Sequence, residues 1–383
     1  YPITMPNTRA ELRADLRRVL LPLEQAKSLP RRAYVDSDLA SLESRALFGS
    51  TWLCAAHESE LVAPGSFVAI ESFGERTIVV RGADLELHAW ADRCVHRGTP
   101  LTEGSSGRFQ QLELACPYHG LRYDLTGRVF GPPKQLAHCA GMTLDKARVS
   151  IWNGFVFLCR NPLAPSFEAF VGTVPPWFER AAMHALRLER RTVHEVKANW
   201  KLLVANFQES HHFPFVHPKL EARTPWRQSS SHDFGGFWLG GSMDLGEGIE
   251  TVSMSGKRND RPFVAGPVDQ RTVRDAMLFP TWLTSLQPDY FLSYRLEPIS
   301  IESTRVVADV FVHIESRADD AEDVLAFWDL TNAEDRAICE RQQRGIAAPG
   351  FRPGAYSSSE DGVHAFERRV AENLLNELDQ EQG

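Results

Sequence analysis

Two short clamps carry the most reactive side chains of this sequence, Arg93-Cys94-Val95-His96-Arg97-Gly98 and, after a loop, Cys116-Pro117-Tyr118-His119-Gly120. Each pairs one cysteine with one histidine, first as C-x-H and then as C-x-x-H. A zinc finger usually pairs Cys with Cys and His with His. The mixed clamps suit a [2Fe-2S] cluster with two thiolates on one iron and two imidazoles on the other. Exchanging two anionic thiolates for neutral imidazoles reduces the negative charge and raises the reduction potential well above that of an all-cysteine ferredoxin. Gly98 and Gly120 let the backbone approach closely and offer N–H donors to the sulfurs.

A second constellation follows in Asn199–His212 and just beyond. The segment is expected to be a helix, on which Glu209 and His212 stand three apart and share a face. Phe213 precedes Pro214, which disfavours α conformation at Phe213, so the helix should stop or kink there and let His217 fold back. Two imidazoles separated by four residues, beside a carboxylate, can form part of a 2-His-1-carboxylate iron site. Asp335 is the candidate third ligand. It falls on one helical stripe with Val324, Trp328, Thr331 and Ile338, where a carboxylate is costly to bury unless it is paired or binds metal. The alternative is a solvent-facing Asp beside Arg336.

The elements that must position these groups divide the chain in three. Helical spacing of Leu12, Leu16 and Leu20, and again of Leu39, Leu42 and Leu47 behind a possible cap at Asp36 or Ser37, makes 1–48 an amino-terminal helical arm. From 49 to 162 the pattern is of short β runs separated by turns such as Pro64-Gly65 and Thr126-Gly127. They are expected at 52–56, 66–70, 77–81, 85–90, 111–115, 121–124 and 150–158, with both clamps on loops. A Pro-rich stretch at 161–165 marks the junction to a larger domain, 163–383. There, strands are expected at 186–196, 234–239, 278–286, 291–296 and 304–315, with an amphipathic helix over 321–343 ended by Gly345. The fold class is α+β, a small antiparallel β domain followed by a larger antiparallel sheet covered by helices.

At 383 residues, 43% hydrophobic and 24% charged, the chain has the composition of a globular protein of about two domains. A net charge of −8 argues against nucleic acid or anionic lipid as partners. No apolar run reaches the roughly 18 residues of a membrane span, nor is there the apolar core of a signal peptide. Cys54, Cys139, Cys159 and Cys339 lie mostly among apolar neighbours and read as inert thiols, as in a reducing cytoplasm.

Taken together, the clamps, Asn206-x-x-Glu209-x-x-His212-x4-His217-Pro218 and Asn332-Ala333-Glu334-Asp335-Arg336 with Gln343-x-Gly345 resemble the catalytic α subunit of a Rieske non-heme iron oxygenase, from about residue 30 onward. The resemblance implies that Cys94, His96, Cys116 and His119 hold the [2Fe-2S] cluster and that His212, His217 and Asp335 hold a mononuclear Fe(II) that uses O2. It further implies a homotrimer in which Glu209 bridges the cluster of one subunit to the iron of its neighbour. NAD(P)H would act indirectly, through a flavin or iron-sulfur reductase, with or without a ferredoxin. The chain departs from many ring-hydroxylating members in having Glu209 instead of Asp, and His211 instead of Tyr before the first iron ligand.

Within that family, Thr251–Gly256, Phe279–Trp282, Gln287–Tyr290 and Pro353–Ser357 resemble the glycine betaine and quaternary-amine N-methyl oxygenases. Phe234, Phe237, Trp238, Trp282, Tyr290 and Tyr356 are expected to offer ring faces to a cationic small-molecule substrate, although core packing is the alternative for most of them. The expected reaction is oxidative N-demethylation. Aromatic-ring hydroxylation and a non-catalytic electron-transfer role are the alternatives.

Overall fold

The computed structural model describes residues 9–317 and 321–380, so the first eight residues of the expected arm lie outside it. It divides into two compact units, Phe48–Phe170 and a larger one formed by the residues up to Leu47 with those from Val171 onward. The junction therefore follows the Pro-rich stretch instead of splitting it. The Trp52 indole donates to Pro165 O at 3.1 Å, Arg148 donates to the same carbonyl at 3.1 Å, and Phe167 packs edge-on against Trp52 at 5.4 Å. These contacts hold residues 164–167 in the smaller unit.

The smaller unit has nine strands: β1 (Leu53–His57), β2 (Ser66–Ser72), β3 (Glu75–Arg81), β4 (Leu87–Ala91), β5 (Ser106–Arg108), β6 (Glu113–Ala115), β7 (Arg122–Asp124), β8 (Lys146–Trp152) and β9 (Phe155–Cys159). Seven form an antiparallel sheet in the order β1-β9-β8-β4-β3-β2-β5, and β6 pairs with β7. The expected run at 150–158 is two strands. Asn153 and Gly154, at φ 48° and 81°, turn the chain back between them, as an Asn-Gly pair does in a tight hairpin. The first clamp lies between β4 and β5, the second between β6 and β7.

In the larger unit, β10 (Leu186–Val196), β11 (Ser229–Gly235), β12 (Trp238–Asp244), β13 (Thr272–Leu278), β14 (Trp282–Leu286), β15 (Tyr290–Ser300) and β16 (Ser303–His313) form one antiparallel sheet ordered β10-β16-β15-β14-β13-β12-β11. The expected strands at 234–239 and 278–286 are again hairpins. Gly235 at the end of β11 and Gly236 after it, both at positive φ, turn the chain into β12, and Phe279-Pro280-Thr281 separates β13 from β14. The expected arm is part of this unit. Its helix Ser37–Glu43 is capped by Asp36, whose side chain accepts from Asp38 N, and ends on a buried carboxylate. Glu43 pairs with Lys201 and accepts from the Trp200 indole at 3.0 Å, tying the arm to the helix Trp200–Phe207. A helix unforeseen in the sequence, Asp361–Gln380, buries Val363, Phe366, Val370, Leu374 and Leu378. It bonds the arm through His364 to Val19 O at 2.9 Å and receives Arg13 on Leu378 O at 2.6 Å. Among the described residues no helix is long and apolar enough to cross a membrane.

Candidate functional site

The two clamps close in the same way. Gly98 N donates to Cys94 O at 2.8 Å and Gly120 N to Cys116 O at 2.9 Å, while each cysteine N–H donates to the carbonyl of the residue after its glycine. Both glycines adopt left-handed backbone, φ 74° and 69°, which a side chain would strain. Asp92, buried and paired with Arg76 at 2.7 Å, accepts from Leu101 N at 2.7 Å and fixes the far side of the first clamp.

Cys94 and Cys116 face the core of this unit, whereas His96 is half-buried and His119 exposed, their rings 4.8 Å apart. Two sulfurs inside and two imidazoles outside fit the ligand set that would hold a Cys2His2 [2Fe-2S] cluster. Nothing in the sequence pattern singles out Tyr123. Its hydroxyl lies 3.1 Å from Cys94 Sγ and accepts from Val95 N at 3.1 Å. A hydrogen bond to a ligating sulfur stabilises negative charge there and tunes the potential.

In the larger unit the expected helix over 199–212 is shorter. It starts at Asn199, whose side chain caps Lys201 N, and ends at Phe207. Glu209 and His212 still meet, through a turn: Glu209 Oε1 lies 2.6 Å from His212 Nδ1 and Oε2 accepts from His212 N at 3.2 Å. Pro214 does not break a helix but occupies the first turn of a new one, Phe213–Val216, where its missing N–H costs nothing. His217 caps that turn and is buried, with Nδ1 2.8 Å from Glu334 Oε2 and Nε2 2.8 Å from Asp335 Oδ1.

His212 Nε2 is 3.8 Å from the same Asp335 oxygen. Donor atoms of His212, His217 and Asp335 all lie within 4.8 Å of one another. Ligand bonds of about 2.1 Å to a common ion put neighbouring donors roughly 3 to 4 Å apart, so the three fit one metal ion. With each Nδ1–H given to a carboxylate, both Nε2 lone pairs are left for that ion. Burial pushes the His217 imidazolium pKa down, but the Asp335 and Glu334 carboxylates more than offset this and raise it. The site favours positive charge. Asn206 Nδ2 donates to Asp335 Oδ1 at 2.6 Å and orients the carboxylate.

These three residues open onto a cavity of ≈ 170 Å³. Alternate residues of the sheet line it, among them Val273 and Asp275 on β13, Leu283 and Ser285 on β14, and Leu292 and Tyr294 on β15. The late helix Glu322–Ala347 contributes Trp328, Thr331 and Asp335 from the expected stripe.

The aromatic residues expected around the substrate are elsewhere. Trp238 and Trp282 fall on the other face of the sheet, the first tilted against Phe178 and the second stacked on it, their indoles donating to Val171 O and Ser293 Oγ. Phe234 packs edge-on against Trp177, and Tyr356 donates to Glu367 at 2.6 Å. Tyr290 is buried, donates to Val252 O at 2.6 Å and accepts the Trp328 indole at 2.8 Å. Phe207, Phe213, Tyr294 and Trp328 supply the cavity's aromatic side chains instead.

Known proteins share this two-part organisation. Residues 51–143 match the Rieske [2Fe-2S] domain, and residues 183–376 match the ring hydroxylating alpha subunit catalytic domain. The glycine betaine monooxygenase oxygenase subunit of Pseudomonas aeruginosa is 27% identical, over 92% of this chain and 90% of that protein. The carnitine monooxygenase oxygenase subunit of Escherichia coli is 26% identical, over 93% and 94%. The fold is that of a quaternary ammonium Rieske monooxygenase (TM-score 0.79, 22% identity, 97% of this chain and 100% of that one). It is equally that of naphthalene 1,2-dioxygenase from Rhodococcus sp. (TM-score 0.79, 16% identity, 96% and 99%).

Proposed function

Because the chain belongs to the ring-hydroxylating α-subunit family of Rieske oxygenases, we propose that it takes electrons from a separate reductase and demethylates a betaine-like quaternary amine with O2. Cys94, His96, Cys116 and His119 would hold the [2Fe-2S] cluster, and His212, His217 and Asp335 the mononuclear iron. When bound, the cluster supplies single electrons and the iron activates O2 toward a C–H bond.

The surrounding residues prepare that chemistry. Glu209 and Glu334 fix the two imidazoles, and Asn206 holds the Asp335 carboxylate. We assign Glu209 a second task, bridging His119 of the partner subunit to its own His212 in a homotrimer. Electrons would come ultimately from NAD(P)H through the reductase. A reducing cytoplasm is consistent with six buried cysteines that form no disulfide.

The cavity carries the substrate reading. At ≈ 170 Å³ it is close to the roughly 150 Å³ that accommodates benzene in an engineered protein cavity, which suits a small substrate. Tyr294, Trp328 and Phe207 line it and can offer ring faces to a quaternary ammonium. Oxygenation of an N-methyl carbon gives a hemiaminal. Its C–N bond breaks with the electron pair returning to nitrogen, the hydroxyl proton leaves to water, and a tertiary amine and formaldehyde result.

The test is substrate-dependent O2 uptake with a surrogate reductase. Glycine betaine or carnitine should drive uptake while benzoate and salicylate do not, and the reverse preference would overturn the substrate assignment in favour of ring hydroxylation.

A further inference from the structure

Two buried oxygen atoms on the sheet side of the cavity lack hydrogen-bond donors. Asp275 on β13 stands opposite Ser285 on β14 in the strand register, and Gln287 follows two residues later. Gln287 Nε2 donates to Ser285 Oγ at 2.9 Å, yet Gln287 Oε1 and Asp275 Oδ1 have no partner. All three residues line the cavity that contains His212, His217 and Asp335. Gln208, which lines the same cavity, has a buried and unpartnered Nε2.

Buried polar atoms are paired in the great majority of cases, and an unpaired buried carboxylate is among the costliest exceptions. Among the described residues no Lys or Arg pairs with Asp275. Burial pushes its carboxyl up to about 7, opposed by the Ser285 hydroxyl. A purely structural role would be served better by Asn or Ser. The two unmet atoms on this side are both acceptors, and one belongs to an ionisable group. Two buried oxygens, one of them able to ionise, give this side of the cavity a negative potential that attracts positive charge.

We infer that Asp275, seconded by Gln287, is the recognition residue for the cationic nitrogen head of the substrate. This rests on the oxygenase reading above and narrows its substrate class to N-methylated ammonium compounds. Aromatic faces stabilise such a head without selecting sharply against an uncharged group of the same shape. The carboxyl adds that selection, because a cationic head stabilises its ionised form, whereas an uncharged head leaves Asp275 holding its proton and gains no such attraction.

Calorimetric titration of the holoenzyme tests the assignment with three probes: glycine betaine, tetramethylammonium, and 3,3-dimethylbutanoate, in which carbon replaces the charged nitrogen of glycine betaine. The wild type should favour glycine betaine over 3,3-dimethylbutanoate. Asp275→Asn should bind both cations at least about tenfold more weakly, a change of about 1.4 kcal/mol, and the carbon isostere within about twofold. Asp275→Ser serves as a second, smaller substitution with the same expectation.

Equal binding of the cations by wild type and both variants would overturn the role of Asp275 and leave the demethylase reading intact. Equal weakening of all three probes would also overturn it, by exposing a general disturbance of the cavity. If the wild type binds neither cation but takes an aryl acid, both readings fall.

Discussion

His217 Nε2 lies 2.8 Å from Asp335 Oδ1 although 118 residues separate them in the chain. The cap between two single-turn helices presents the imidazole, and the middle of the late helix presents the carboxylate. Asp335→Ala removes the shared oxygen. The variant is expected to retain about two irons per chain in place of about three, with the visible spectrum of the cluster unchanged. Metal analysis showing full iron would reassign the third ligand.

Glu334 orients His217 by taking its Nδ1–H. Loss of such an outer partner typically weakens a metal site by about 10- to 100-fold. Glu334→Ala should therefore lose iron to a chelator at lower concentration than the wild type, and Glu334→Gln, which keeps an acceptor oxygen, should recover part of the difference. Identical chelator titrations for all three proteins would rule out this role.

Glu209→Gln separates orientation from electron passage. The amide oxygen can still accept from His212 Nδ1, so iron content and cluster absorption should persist. Oxidation of the pre-reduced cluster in the presence of substrate and O2 should slow by at least about tenfold if the bridge must carry a full negative charge. A wild-type rate would exclude Glu209 from the route.

The residues proposed as metal ligands were legible in the sequence because each cluster or iron motif is mostly local. Cys94 and His96, and Cys116 and His119, are neighbours within short loops, His212 and His217 flank a single helical turn, and only Asp335 required the periodicity of a distant helix. The sheet was less legible. Asn153-Gly154, Gly235-Gly236 and Phe279-Pro280-Thr281 sit within or beside apolar runs, so three hairpins read as three single strands. The aromatic pocket failed for a related reason. A one-residue offset decides the face of a strand, and it sends Trp282 into the core while Leu283 lines the cavity. Glu334 left no signal, since its value depends on which imidazole folds back against it.

Asp275 links stability to pH. Its carboxyl ionises near 3.8 in an unperturbed chain and is raised to about 7 here, chiefly by burial. Between those values the folded protein holds the proton that the unfolded chain has lost, so its contribution to stability falls as pH rises through the window and levels off above it. The fall amounts to at most about 1.4 kcal/mol for each pH unit crossed. The melting temperature of Asp275→Asn relative to wild type should therefore rise between pH 5 and pH 8. A constant difference would show that Asp275 does not hold its proton in the folded protein.

The demethylase assignment is tested most directly by the ratio of formaldehyde formed to O2 consumed with glycine betaine or carnitine and a surrogate reductase. One formaldehyde per O2 is the predicted result. O2 consumption coupled to a hydroxylated aryl acid, with no formaldehyde from either amine, would contradict it.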